Sequence, residues 1–231
     1  MISAVVVGAG RGKRFRNKKK NTLKIFLKLK GKPLIFYSLL ALNRHPRISE
    51  IILVTRKSYF KKIKKIIRRY NFYKVKKIVS GGKERQDSVL NGLKFVNSDS
   101  RFVLIHDAAR PFLNPKLISS CLRIAQRYGS SVAAVPVKNT IKQVKDGIVE
   151  RTLPREELWE TQTPQVFKKE LLFQAYFSKK NYIKATDDST LVERLGKKVA
   201  VVFASYSNIK ITTYEDLLLA KEIIKNIKWL K

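Results

Sequence analysis

Hydrophobic and polar positions follow two regimes along this chain. Short apolar runs rich in β-branched residues recur at residues 2–7, 50–55, 75–79, 101–105, 131–137 and 198–203. Such runs suit strands buried on both faces. Between them lie longer segments with apolar residues three and four apart: residues 33–43, 58–70, from about 84, 114–128, 169–177, 186–195 and 213–229. That spacing predicts helices buried along one side. The alternation as a whole predicts an α/β fold, a mostly parallel sheet flanked by helices. Thr186 reads as the N-cap of the 186–195 helix, with Asp187 and Asp188 near its positive end.

Two stretches break the alternation. In residues 138–153, Asp146-Gly147 separates two alternating runs, which predicts a β-hairpin. A hairpin cannot continue a βαβ series, so this one is expected to project from the sheet as an arm at about 138–155. Residues 159–167 carry Pro164 and read as irregular. No internal repeat, low-complexity linker or second domain interrupts the 231 residues, so a single domain over 1–231 is expected.

Composition narrows the class. A hydrophobic fraction of 44% argues against disorder. No apolar run approaches the roughly 18 residues of a membrane span, and the short first run, with its cations behind it, does not read as a signal peptide. The single cysteine, Cys121, rules out an intramolecular disulfide and a cysteine zinc cluster. It lies beside Leu117 and Leu122 and reads as a buried thiol. With only His45 and His106, a histidine metal centre has no support, and His106 reads as a satisfied core histidine. A reducing cytoplasm is the expected compartment.

Charge changes the picture most. Fifty Lys and Arg against 17 Asp and Glu give +33, and no acidic residue precedes Glu50. Such a field favours anionic partners. The cations read as spread along the chain among many Ile and Asn, as AT-rich coding would produce. Neither zinc-finger spacing nor an aromatic RNA-binding signature is present, so nucleic acid is not an expected partner. The basic face of residues 58–70 (Lys61, Lys62, Lys64, Lys65, Arg68, Arg69) reads as solvated.

The chemistry concentrates after the first strand, in Gly8-Ala9-Gly10-Arg11-Gly12-Lys13-Arg14. A glycine turn beyond a buried strand can bring bare backbone N–H groups against an anion, and the cations behind it can neutralise that anion. Two common phosphate motifs fail here. The dinucleotide fingerprint needs glycine where Lys13 stands, and a later carboxylate that the chain lacks before Glu50. The P-loop needs glycine where Val7 stands and a hydroxyl where Arg14 stands.

Four further motifs follow in order: Gly81-Gly82-Lys83-Glu84-Arg85-Gln86-Asp87-Ser88-Val89, His106-Asp107-Ala108-Ala109-Arg110-Pro111, Thr161-Gln162-Thr163-Pro164-Gln165 and Asn208-Ile209-Lys210-Ile211-Thr212. With the glycine turn, they resemble the 2-C-methyl-D-erythritol 4-phosphate cytidylyltransferase family of the non-mevalonate isoprenoid pathway, over residues 2 to about 224. The resemblance implies a single nucleotidyltransferase domain with a Rossmann-like sheet and a β-arm. It implies transfer of CMP from CTP to the polyol phosphate with release of pyrophosphate. It also implies Mg2+ or another divalent cation, and a homodimer in which the arm completes the partner's site.

By the same resemblance, Arg14, Lys24, Arg155 and Lys210 are catalytic. Gly8, Ala9, Gly10, Gly82, Ser88 and Ala108 meet the nucleotide. Asp107, Arg110, Thr140, Arg155, Thr163 and Lys210 meet the acceptor. The metal is held mainly by the CTP phosphates, with Asp107 as the one candidate protein ligand. The chain departs from the family pattern at Leu23 and Ile25, which flank the lysine and remove a rigidifying proline, and also at Phe15 and Lys83. Ribitol 5-phosphate is the nearest alternative acceptor. A basic nucleic-acid-binding protein on the same fold is the alternative from another class.

Overall fold

The computed structural model describes residues 1–10, 23–178, 185–227 and 229. β1 (Ile2–Val7) is followed by a short 3-10 turn at Lys24–Phe26 and a small ribbon of β2 (Lys28–Leu29) and β3 (Lys32–Pro33). Next come α1 (Leu34–Arg44), β4 (Glu50–Thr55), α2 (Phe60–Arg69), β5 (Val75–Ser80), α3 (Arg85–Leu93), β6 (Phe102–Asp107), α4 (Pro115–Tyr128) and β7 (Ser130–Pro136). A hairpin of β8 (Ile141–Lys145) and β9 (Ile148–Leu153) precedes β10 (Trp159–Lys168), α5 (Lys169–Phe177), α6 (Ser189–Glu193), β11 (Ala200–Phe203) and α7 (Tyr214–Ile223).

The main sheet runs in the order β11-β7-β10-β6-β1-β4-β5. β1 lies parallel to both β4 and β6, β5 parallel to β4, and β11 parallel to β7. Side chains alternate across it with the period of two that a strand imposes. Ala4, Val6, Ile51, Leu53 and Leu104 join one apolar layer with residues of α1, α4 and α7. Val5, Ile52, Val54, Val103 and Ile105 join the other with residues of α3, α5 and α6. Cys121 is buried in the first layer, as its apolar neighbours indicate. No helix among the described residues is long and apolar enough to cross a membrane.

The sheet corrects one expectation outright. Residues 159–167 are not irregular; they belong to β10, which runs antiparallel between β6 and β7. Its register against β7 shifts between Thr161 and Gln165. Pro164 sits within that shift, after a cis peptide bond, where its missing N–H removes no ladder bond. Polar residues hid the strand: Gln162, Thr163 and Gln165 are buried and hydrogen-bonded. A second correction concerns α6, which is shorter than expected and is not capped by Thr186. Asp187 does that work, its carboxylate accepting from the Thr190 N–H at 3.0 Å.

The arm is present as predicted. Asp146 (φ 50°) and Gly147 (φ 81°) make the turn, and β8 and β9 pair only with each other. Val144, Ile148 and Val149 on it are exposed, Ile148 by 73%.

Candidate active site

The parallel strands β1, β4, β5 and β6 end on one edge of the sheet. The chain adds β4 and β5 on one side of β1 and β6 on the other, so β1 marks the switch point where open α/β sheets bind ligands. The Gly8–Gly10 turn leaves from it. Gly8 N–H donates to the Val54 carbonyl at 2.7 Å, and a Cβ on Gly8 would stand 3.2 Å from the Ala108 Cβ and 3.3 Å from Ile25 Cδ1. Arg56 Nε donates to the Ala9 carbonyl at 3.3 Å.

The turn after β5 presses against this one. A Cβ on Gly81 would fall 2.2 Å from the Ala9 Cβ, and one on Gly82 would fall 2.2 Å from the Asp87 Cβ. Only glycine lets the two turns approach so closely. Ser88 is buried and holds the second turn from within, accepting from Gly82 N–H and donating to the Glu84 carbonyl, both at 3.0 Å. Gly10 meets no such constraint, since a Cβ there has nothing within 4 Å.

Asp107 closes β6 and is buried. Its Oδ2 lies 2.5 Å from Lys210 Nζ, and its Oδ1 lies 3.2 Å from Arg85 Nε. Burial alone would raise the Asp107 carboxyl; Arg85 and Lys210 reverse this and hold it well below the usual carboxylate range. Arg85 opens α3 and reaches in two directions. Its Nη2 lies 2.8 Å from Oδ2 of Asp188, a fully buried carboxylate that also accepts from the Tyr176 hydroxyl at 2.5 Å. Burial would weaken the Arg85 charge, but Asp188 and Asp107 keep its pKa well above the ordinary value.

Other residues fix this chain of charges. Asn208 is buried and donates to Gln162 Oε1 at 2.7 Å and to the Thr163 carbonyl at 3.0 Å, fastening the segment that carries Lys210 to β10. Arg110 donates from Nη1 to the Asn208 carbonyl at 2.7 Å. The Thr163 hydroxyl accepts from the Asp107 N–H at 3.1 Å and lies 3.0 Å from His106 Nδ1. His106 Nε2 lies 3.1 Å from the Arg110 carbonyl. The set is satisfied by a neutral imidazole protonated at Nε2, with the Thr163 hydroxyl donating to Nδ1. Burial pushes the His106 pKa down to about 4, so it is the core histidine the sequence suggested.

The structure thus brings together Gly8, Ala9, Gly82, Ser88, Asp107, Ala108, Arg110, Thr163 and Lys210 at one edge. Lys24 opens the 3-10 turn at Lys24–Phe26. Leu23 and Ile25, on either side of it, are buried in the core. Arg14 and Phe15 lie outside the described residues. Thr140 and Arg155 stand apart, exposed at the base of the arm, where Arg155 Nη1 donates to the Lys138 carbonyl at 3.1 Å. Arg85, Tyr176 and Asn208 had no assigned role from the sequence, and Asp188 was expected only at the positive end of a helix. The signals were there: Arg85 and Asn208 lie inside two of the motifs, and Asp188 is one of few acidic residues.

No group of three or more His, Cys, Asp or Glu side chains suited to a metal occurs among the described residues. A groove of about 560 Å3 lined by Arg47, Arg101, Gln126 and Lys168 opens at the amino ends of β1 and β6, at the opposite edge of the sheet. It shares no residue with the charge cluster.

The model of the family described as 2-C-methyl-D-erythritol 4-phosphate cytidylyltransferase matches residues 2–226. A protein of that name from Dehalococcoides mccartyi is 45% identical over 225 residues, covering 97% of this chain and 96% of the relative. Another from Clostridium botulinum strain Loch Maree is 43% identical over 227 residues, covering 97% and 98%. Among solved structures, the 4-diphosphocytidyl-2C-methyl-D-erythritol synthase of Anaerococcus prevotii is 33% identical and superposes with a TM-score of 0.83, covering 97% and 98% of the two chains.

Proposed function

The chain belongs to the 2-C-methyl-D-erythritol 4-phosphate cytidylyltransferase family, enzymes of isoprenoid biosynthesis, and from that premise we infer how its own residues carry CMP from CTP to the acceptor. An oxygen of the acceptor phosphate attacks the α-phosphorus in line. The bond from that phosphorus to its bridging oxygen breaks, and pyrophosphate leaves with the electron pair. An ionised phosphate needs no base to remove a proton, so catalysis rests on positioning and on fixed positive charge.

The observation that carries this reading is the Lys210–Asp107 ion pair beside the glycine turn. Lys210 is partly exposed while Asp107 is buried, so the ammonium can meet an incoming phosphate without leaving its holder. Asp107 and Arg110 would receive the acceptor. Gly8, Ala9, Gly10, Gly82, Ser88 and Ala108 would frame the nucleotide, the close turns at Gly81 and Gly82 making a narrow pocket that favours a pyrimidine. Arg14 and Lys24 would stabilise charge on the α-phosphate as the bond exchange proceeds.

A divalent ion fits this site only as a companion of the nucleotide. Both Asp107 oxygens already face cations, and the described residues offer no carboxylate cage. Mg2+ commonly keeps most of its shell as waters and phosphate oxygens, and when bound it would neutralise triphosphate charge.

The homodimer is inferred from the arm. A lone two-stranded ribbon is marginal in water, and among the described residues Val144, Ile148 and Val149 stand exposed on it. A second copy would cover them and bring Arg155 and Thr140 to the neighbouring site. The compartment inferred is the cytoplasm, in keeping with one cysteine that is buried and free.

Pyrophosphate release from CTP with each polyol phosphate tests the reading. Turnover with 2-C-methyl-D-erythritol 4-phosphate is expected; turnover with ribitol 5-phosphate alone would overturn the acceptor assignment.

A further inference from the structure

The positive charge is not evenly spread through the fold. Residues 1–83 hold 25 Lys and Arg against one acidic residue, Glu50, while residues 84–231 hold 25 against 16. Seven of those 25 cations fall at residues 11–22, outside the described residues; the rest of the segment builds β1, α1, β4, α2 and β5, and so three of the seven strands, ending at the β5 edge. Within it, residues 51–83 contain 12 cations and no carboxylate. Uniform compositional drift would not sort charge in this way.

At that edge a groove of about 450 Å3 runs between α2 and β5. Its rim is cationic: Lys64 and Arg68 on α2, Lys76 and Lys77 on β5. Its floor is apolar, from Phe60, Ile67, Val75 and Ile78. The β4–β5 register shifts between Ile51 and Ile52, whose partners are Val75 and Lys77. The shift leaves Lys76 as an extra residue and lets two successive lysines line one groove. Among the described residues none of the four rim cations has a carboxylate partner. Lys64 and Arg68 stand one helical turn apart, about 6 Å along the axis.

We propose that this groove binds single-stranded nucleic acid, its rim meeting phosphates and its floor taking base faces. A cationic rim over an apolar, partly aromatic floor is how sequence-tolerant single-strand sites are built, and a duplex is too wide for a cleft of this size. An anionic membrane fits less well. A helix that lies in a bilayer surface needs a free apolar face, whereas on α2 Ile63 is buried and Ile66 and Ile67 are half-buried against the core, which leaves a narrow floor at Ile67 but no continuous apolar face. Lysines on a free edge strand also discourage edge-to-edge pairing, but that accounts for Lys76 and Lys77 and not for the cations of α2 facing them.

The test is fluorescence anisotropy of a labelled 20-mer oligouridylate titrated with the full chain at several KCl concentrations. Four phosphate contacts correspond to a log–log salt slope of about −3 from this groove. Reversal of all four rim charges (K64E, R68E, K76E, K77E) is expected to weaken binding at least tenfold and remove that slope. The matched reversal K116E, R123E, K197E, K221E on the other half, which changes net charge equally, should weaken binding less than threefold. Both variants are checked for wild-type circular dichroism. If the quadruple variant does not fold, single neutralisations K64Q and K77Q should each lower the slope by about 0.7. Equal losses in the two quadruple variants would overturn the proposal, as would binding to phosphatidylglycerol vesicles without binding to the oligonucleotide.

Discussion

Lys210 holds its ammonium 2.5 Å from Oδ2 of Asp107, and the other oxygen of that carboxylate is taken by Arg85. The lysine is therefore placed by its partner and not by its own flexible stem. Lys210→Ala should lower kcat/KM for the polyol phosphate by on the order of 10²-fold, as expected for loss of a preorganised charge donor. The KM for CTP should move by less than about threefold, since the loss falls on acceptor positioning. Steady-state pyrophosphate release with each substrate varied in turn gives both numbers. An unchanged acceptor term would remove Lys210 from the site.

Arg85 is the joint between this pair and the interior. Removing it leaves Asp188 buried beside Tyr176 without its countercharge, which costs about 3–5 kcal/mol for a buried pair broken on one side. Arg85→Ala should therefore show a lower urea midpoint as well as lower activity. Asp188→Asn in the same chain should recover part of the stability, because the stranded charge is gone. Additive losses in the double variant would mean the two residues do not act through each other.

Most of the scaffold was legible because its strands are apolar runs and its helices have a clear period. β10 was not, because Gln162, Thr163 and Gln165 are buried polar residues whose partners lie far away in sequence. Pro164 also argued against a strand that the register shift in fact accommodates. The site divides in the same way. Gly82, Asp107 and Lys210 could be placed from motifs, since each stands at or beyond the carboxyl end of a strand. The roles of Arg85 and Asp188 emerge only from a contact across 103 positions, which no local pattern signals. The charge was visible as a total, but its meaning depended on which half of the sheet the first 83 residues build.

His106 gives the folded state a defined acid sensitivity. The unfolded imidazole titrates near 6.5 and the folded one near 4. Between those values the unfolded chain binds a proton that the folded chain refuses. The contribution is fully present above about pH 6.5 and is lost as pH falls toward 4, on the order of 3 kcal/mol in all. Gln in its place cannot take up that proton. Thermal midpoints of wild type and His106→Gln, measured from pH 7 to pH 4, should converge as pH falls. A constant gap across that range would show that burial does not hold the imidazole neutral.

The two glycine turns should respond unequally to substitution. Gly81→Ala would drive a methyl to 2.2 Å from the Ala9 Cβ, so the turns must separate; Gly10→Ala meets open space. The expected result is a KM for CTP raised at least about tenfold in Gly81→Ala, and raised less in Gly10→Ala, where the added methyl meets no protein atom and only the nucleotide's own approach to the turn is affected. If both variants keep wild-type KM, close approach of the turns is not what shapes the nucleotide pocket.

Lys24 and Arg155 should serve one site from different chains. Lys24 is fixed within its own chain, because Leu23 and Ile25 beside it are buried in the core. Arg155 lies at the base of the arm, with Lys138 as its hydrogen-bond partner and no link to the Asp107 cluster. If the arm completes the partner's site, Lys24→Ala and Arg155→Ala are each inactive as homodimers. A mixed dimer then places both lesions in one site and leaves the other intact. Random assortment of equal amounts gives half mixed dimers with one working site each, so refolding the two together should restore about one quarter of wild-type activity. Mass spectrometry of the intact assembly verifies that mixed dimers form. Mixed dimers without activity would mean that each chain builds its site alone, and that Arg155 belongs to the structure of the arm.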